Sequence, residues 1–408
     1  MAEVTSSQKT NKTHKRSLEK PIHDLAEIFD RYLNDYLETH TLSPLQWKVV
    51  NAIMACRTAK LGGHLYTCDQ CGFEQPRYDS CGNRHCPKCQ IAAKIKWVNK
   101  RLDELLPVPY YHYVVTMPHI LNLLAFYNKR VVFGLFFDAA AYAISIFAND
   151  PKFLGAKIGF IGILHTWGQT MSQHVHLHFL IPGGGISHDG KCWINLPYRE
   201  KFLFPVKAVS SVLRQRFAKL LTKAYEKGEL VFPDELSELT DRKTFDQFVN
   251  KLAWDHWYNY AQKPFAGPED VVKYIGRYTH RIAISNYRIL AIENGNVRFS
   301  YKQYKNKKEI HQEIELSANE FIRRFLDHVV PERFKRVRHF GALSPGCRKA
   351  FFEQARALLN IKAEQVREQL ATLLDLFIGR DDVQRCPACE VGTLIFRGLI
   401  PAYYMAPG

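Results

Sequence analysis

The chain has 408 residues, 46% of them hydrophobic, and a formal net charge of +16 from 56 Lys+Arg against 40 Asp+Glu. That length supports a large core in two or three domains, and the basic excess suits a polyanionic partner, nucleic acid ahead of an acidic membrane surface. Ten cysteines without a secretory leader read as metal ligands under reducing conditions and exclude a disulfide framework.

Residues 1–20 are polar and rich in Ser, Thr and Lys, which predicts a disordered basic tail rather than a signal peptide. The chain is therefore expected in the cytoplasm. A helical lead-in follows over 21–107, in "DLAEIFDRYLNDYLE" and "PLQWKVVNAIMAC", with Pro44 at a helix start. Inside it, at about 64–90, lies a cysteine-rich module, and "IAAKIKWVNKRLDELL" reads as its exit helix.

In the module Cys68 and Cys71 form one CxxC pair and Cys86 and Cys89 another, fourteen residues apart. Paired CxxC knuckles predict four thiolates around one structural Zn²⁺. Cys81, His64 and His85 are spare donors, for a second site or for exchange into the first. Arg77, Arg84, Lys88, Lys94, Lys96 and Lys100 make the module basic, consistent with DNA contact or with a zinc-stapled appendage. A lone C-terminal pair, Cys386 and Cys389, is half a site that needs distant help, for which Cys347 or a histidine is available.

Residues 108–345 read as one α/β unit, and 346–408 as a helical C-terminal region carrying the last CxxC. "YYHYVVTMP" is a strand and 120–148 is helical. Within it Val131–Ala148 is apolar but interrupted by Asp138 and Ser145, a buried helix rather than a membrane span. "KIGFIGILHTWG" is a strand whose antiparallel neighbour is the stretch at 174–182. A helix at 205–228, a less regular insert at 229–265 and a helix opening at Gly267-Pro268-Glu269-Asp270 follow. Then come a hairpin turning at Asn294-Gly295, a helix at 316–327 and the basic run "RFKRVRHFG".

The stretch "QHVHLHFLIPGGG" places His174, His176 and His178 on one strand face and Val175, Leu177 and Phe179 on the other. One histidine on a strand is usually a satisfied polar residue, but a row of them opposite an apolar face suits a divalent cation. A dinuclear hydrolase pattern, HxHxDH, is not met, since Phe179 follows His178. In "DVVKYIGRYTHRIAIS", Tyr274 and Tyr278 are four apart on one helical face. Lys273, Arg277, His280 and Arg281 surround them, which argues against an ordinary core face. A histidine-held metal and a tyrosine oxygen together suggest attack on a phosphodiester, the covalent link conserving bond energy for rejoining.

His176-Leu177-His178 resembles the HUH signature of rolling-circle nucleases. The stretches "SCGNRHCPKCQ", "LHTWGQTMSQHVHLHFLIPGGG", "YIGRYTHRIAIS" and "RFKRVRHFGAL" together resemble the two-tyrosine rolling-circle insertion-sequence transposases with an N-terminal zinc-binding domain. The resemblance spans residues 64 to 345. It implies an α+β fold, an antiparallel HUH-type sheet with packed helices, preceded by helices and the zinc module. It implies Mg²⁺ or Mn²⁺, single-stranded DNA nicking and a 5′-phosphotyrosine. Carried over residue by residue, His176 and His178 are the metal pair and Tyr274 and Tyr278 the nucleophiles. The third ligand is open between His174, His165, Gln169 and Gln173. Lys273, Arg277, Arg281, Arg333, Arg336 and Arg338 are the expected DNA contacts. A zinc-dependent DNA-binding protein without cleavage is the alternative of another class, and a replication initiator or relaxase shares the chemistry.

Overall fold

The computed structural model describes residues 21–90, 104–196, 203–262, 264–265, 271, 283–305, 308–361 and 385–403. Two helices come first, α1 (Leu25–Leu37) and α2 (Pro44–Ala55). Asp24 caps α1 by accepting the Glu27 N–H, and Ser43 makes a reciprocal capping box with Gln46 ahead of Pro44. Each start therefore satisfies backbone donors the helix leaves unpaired.

A hairpin of β1 (Gly63–Cys68) and β2 (Glu74–Tyr78) follows. The central part of the chain supplies β3 (Tyr110–Thr116), α3 (Asn122–Tyr127), α4 (Lys129–Asn149), β4 (Ala156–Lys157), β5 (Gly159–Trp167) and β6 (Gln173–Pro182). Next are β7 (Gly184–Ser187), β8 (Trp193–Asn195), a helix α5 (Val206–Glu226), a helix α6 (Arg242–Trp254) and β9 (Asn259–Ala261). After them come β10 (Ile289–Glu293), β11 (Asn296–Lys305), β12 (Lys308–Ser317), α7 (Ala318–Asp327), β13 (Val337–Gly341), α8 (Arg348–Leu358) and β14 (Leu394–Ile400). The fold is α+β.

Its centre is a five-stranded sheet in the order β13-β5-β6-β3-β9, every pair antiparallel. One face carries Val175, Leu177 and Phe179, all fully buried against Phe160, Leu164 and helix α4. Full burial of each such side chain stabilises by about 1.5–3 kcal/mol. Behind α4, Phe136 and Phe217 close on Trp257, with ring centroids 5.9 and 5.1 Å from the indole. Helix α4 is long and apolar enough to cross a membrane by length and composition, but most of it lies inside this core.

The hairpin turn is as expected: Asn294 and Gly295 both take positive φ, 52° and 74°, as a two-residue type I′ turn requires. Three segments depart from the sequence reading. The insert at 229–265 is regular, because Phe245, Val249 and Leu252 recur at helical spacing behind an Asp241 cap and so build α6; β9 then pairs with β3. The stretch "KEIHQEIELS" is a third strand on the hairpin, paired with β11 from end to end. In the C-terminal region α8 is helical, whereas Leu394–Ile400 is a strand on β1.

A second core joins the lead-in helices to the late hairpin. Phe29 of α1 meets Phe325 of α7 edge-on at 5.8 Å, and Cys56, Cys86, Ile289, Phe299 and Phe321 share that cluster.

Candidate functional site

The pairing of β5 with β6 sets His165 directly opposite His176. His165, His176 and His178 therefore share the face that Val175, Leu177 and Phe179 turn away from, and one ligand atom from each lies within 4.8 Å of the others. The rings of His165 and His178 are 4.6 Å apart and those of His176 and His178 4.8 Å. His165 and His178 are buried while His176 is half-buried, so the group is open on the His176 side.

Two hydrogen bonds orient these rings. His176 Nδ1–H donates to the carbonyl of His174 at 2.8 Å, which assigns the proton to Nδ1 and makes Nε2 the ligand nitrogen. His178 Nδ1 faces Nε2 of His112 at 2.9 Å, and Nδ1 of His112 faces Gln262 Oε1 at 2.9 Å. An amide oxygen only accepts, so His112 carries its proton on Nδ1. Burial pushes its pKa down to about 4, the Gln262 bond opposing that shift. Neutral His112 then accepts from His178 Nδ1–H, which leaves His178 Nε2 as the ligand nitrogen. Orientation of a ligating imidazole through its other nitrogen is the usual arrangement at metal centres. The three imidazoles together suit a divalent cation that takes its remaining ligands from oxygen donors.

Of the third-ligand candidates, His165 joins the group and His174 does not. The His174 ring lies 4.8 Å from that of His176 and 6.2 Å, tilted, from that of His119, and burial followed by the His119 charge lowers its pKa; it is not in the group of converging ligand atoms. Gln173 directs Nε2 to the Asn122 carbonyl at 3.1 Å, and Gln169 offers its carbonyl to Arg288. Sequence reasoning missed His112. Its signal was a histidine inside the apolar strand "YYHYVV", on the neighbouring strand to His178.

Tyr274, Tyr278, Lys273, Arg277 and Arg281 lie outside the described residues. The described residues flanking them do not. Val271 is buried in one cluster with Ile161, Ile163 and Leu180, residues on the histidine face of β5 and β6. Ala283 is buried with Trp167 and Met171, where β5 turns into β6.

Arg333 is exposed. Arg336 and Arg338 are placed differently from the solvated surface the charge run suggests. Arg336 is partly buried beside Arg84, donates to the Arg84 carbonyl at 3.4 Å, and has its pKa lowered to about 10, by burial first. The Arg338 guanidinium covers the Phe137 ring at 4.4 Å and pairs with Asp138 at 3.6 Å. The reason is strand β13: residues 337–341 pair with β5 and draw the run into the sheet.

Eight of the cysteines form two groups of four, which divides the expected set of Cys68, Cys71, Cys86 and Cys89 between two sites. Cys86 and Cys89 meet Cys56 and Cys81, and Cys68 and Cys71 meet Cys386 and Cys389. Sulfur distances are 3.5 Å for Cys56–Cys89 and 3.6 Å for Cys81–Cys89. Tetrahedral zinc with Zn–S near 2.3 Å requires about 3.8 Å, so the groups fit the ion. The physical reason for the regrouping is the hairpin. Cys68 and Cys71 stand at its tip and Cys81 beyond its base, and six strand residues extend roughly 20 Å. No single ion spans that. His64 faces Asp79 at 3.5 Å and His85 is buried with its pKa held well down, by burial first; neither belongs to a thiol group.

Residues 159–351 match the family described as "Putative transposase", and residues 28–117 match the family described as "Transposase zinc-binding domain". The chain is 42% identical to "Putative transposase y4qJ" of Sinorhizobium fredii (strain NBRC 101917 / NGR234), over 91% of this chain and 94% of the relative. It is 28% identical to "Transposase for insertion sequence element IS801" of Pseudomonas savastanoi pv. phaseolicola, over 76% of this chain and 72% of the relative. No solved structure matches the chain. With a zinc-binding domain at its N-terminal end and near-complete coverage by a transposase relative, the chain belongs to the two-tyrosine insertion-sequence transposase family.

Proposed function

We propose that the protein is an HUH-type strand transferase that nicks and rejoins single-stranded DNA at the ends of its element. The observation that carries this is the group His165, His176 and His178, with Val271 and Ala283, on either side of the tyrosine segment, buried near opposite ends of the histidine row.

In this reading Tyr274 or Tyr278 attacks the scissile phosphorus through its phenol oxygen. The P–O3′ bond breaks, the new Tyr–O–P bond forms, and the phenol proton ends on the released 3′ oxygen. Attack by a free 3′-OH on the phosphotyrosine reverses the exchange and rejoins strands without ATP. Mg²⁺ or Mn²⁺ held by His165, His176 and His178 would draw charge from the non-bridging phosphate oxygens. Free tyrosine, with a pKa of about 10, needs nearby positive charge to react at neutral pH; Lys273, Arg277 and Arg281, its neighbours in sequence, would supply it. Two tyrosines allow two covalent ends at once. Exposed Arg333 and the basic zinc module bind DNA through its phosphates.

The test incubates labelled single-stranded oligonucleotides from both element ends with the full chain and Mn²⁺, followed by a denaturing gel. A protease-sensitive adduct that disappears in His176→Ala, in His178→Ala and in the Tyr274→Phe/Tyr278→Phe double variant is expected. Retarded DNA with no adduct on any strand would instead identify a binding protein without cleavage.

A further inference from the structure

We propose that Cys68, Cys71, Cys386 and Cys389 hold a second zinc ion, which clasps the C-terminal strand onto the N-terminal module. The matched zinc-binding domain ends at residue 117 and contains the whole of the other group, Cys56, Cys81, Cys86 and Cys89. The second group completes itself only from a segment that lies 315 residues further along the chain from Cys71 to Cys386.

The geometry is that of two knuckles facing each other. Cys68 Sγ lies 3.7 Å from Cys389 Sγ, and Cys71 Sγ 3.6 Å from Cys386 Sγ, close to the roughly 3.8 Å edge of a zinc–thiolate tetrahedron. Backbone N–H groups aim at the sulfurs from both sides. Gln70 donates to Cys68 at 3.4 Å, Ala388 to Cys386 at 3.4 Å and Gly392 to Cys389 at 3.3 Å. Such donors stabilise thiolates, the form a metal takes, more than neutral thiols. The knuckles also lock together: Asp69 N–H donates to the Thr393 carbonyl at 3.1 Å and Thr393 N–H to Asp69 Oδ1 at 2.8 Å. Gly392 is required there, because a Cβ on it would run into Cys68 Sγ and lie 2.8 Å from Asp69 Oδ1.

Apolar burial does not account for the docking. Along β14 only Leu394 is buried, and Ile395, Phe396 and Leu399 remain exposed. The local cluster is Cys68, Cys386 and Leu394, with Tyr66 and Cys389 against it. A core that small leaves the strand marginal, as in small domains that depend on a structural metal. With zinc bound, residues 385–403 are part of the N-terminal module; without it, the strand keeps its ladder to β1, the Asp69–Thr393 bonds and the contacts of the exposed Phe396 ring with His64 and Tyr66.

Native mass spectrometry of the zinc-loaded full chain tests this. In a His176→Ala/His178→Ala background, which removes the histidine site, two zinc ions per chain are expected, falling to one on adding Cys386→Ser/Cys389→Ser and to one on adding Cys81→Ser/Cys86→Ser. Cys389→His, which restores a nitrogen ligand, should keep two. A variant that fails to fold is covered by hydrogen exchange on the wild-type chain, where chelation should strip protection from Leu394–Ile400 before it reaches β5 and β6. One zinc in the His176→Ala/His178→Ala chain, two after Cys386→Ser/Cys389→Ser is added to it, or unchanged protection of Leu394–Ile400 in metal-stripped protein would each overturn the proposal.

Discussion

Nε2 of His112 lies 2.9 Å from Nδ1 of His178, and Gln262 sets the direction of that hydrogen bond from the far side of the His112 ring. The second imidazole thus positions the first. Replacing His112 by Phe keeps the ring volume and removes the acceptor. Loss of such an orienting partner typically costs 10–100-fold in metal affinity. The Mn²⁺ concentration for half-maximal adduct formation should rise by about that factor, with the rate recovering at saturating Mn²⁺. An unchanged Mn²⁺ dependence would show that His112 only fills space.

His165 and His174 separate the third-ligand question. Because His165 lies in the group and His174 does not, His165→Ala should abolish adduct formation at every Mn²⁺ concentration tested. His174→Ala should stay within a few-fold of wild type. The reverse ranking would move the metal toward the open end of β6.

Arg333 and Arg338 should also differ. Arg338→Ala removes a guanidinium packed on Phe137 and should lower unfolding stability by about 1–2 kcal/mol, with the salt dependence of DNA binding intact. Exposed Arg333 should do the opposite: Arg333→Ala reduces the slope of log K against log salt by about one and leaves the urea midpoint in place. Paired binding and denaturation curves read both.

Acid stability should report His328. Its ring is buried, bonded to the Met171 carbonyl at 2.9 Å and facing Thr166 Oγ1 at 3.2 Å, and burial lowers its pKa to about 4. Between the unfolded value near ~6.5 and about 4, the unfolded state binds a proton that the folded state does not. Stability from this group is therefore full above pH ~6.5 and declines as pH falls toward 4, by about 3 kcal/mol in total. His328→Gln should flatten that part of the curve in urea titrations from pH 7 to 4.5.

Gly162 sits in β5 where a Cβ would come within 2.8 Å of Phe179 and 3.0 Å of Phe340. Gly162→Ala should cost about 1–3 kcal/mol by overpacking, read as a lower urea midpoint with an unchanged slope. No shift would mean that the aromatic rings repack freely.

Much of this molecule was legible locally. Alternation along "HVHLHF" assigned the histidine face, Pro44 marked a helix start and Asn294-Gly295 the hairpin, because each signal belongs to its own element. Partners with no local period were not legible. The CxxC pairs advertised zinc, but which pairs share an ion was decided by a hairpin that carries Cys68 and Cys71 away from Cys86 and Cys89, and by a strand arriving from 315 residues away. Selection of His165 over His174 needed the register of β5 on β6, and His112 needed β3 to pair with β6. The basic run read as surface until β13 drew Arg336 and Arg338 inward. The sequence by itself determined which residue types face which side of each element. Only the tertiary structure decided which of those faces meet, because contact between distant segments depends on register and packing that no single segment encodes.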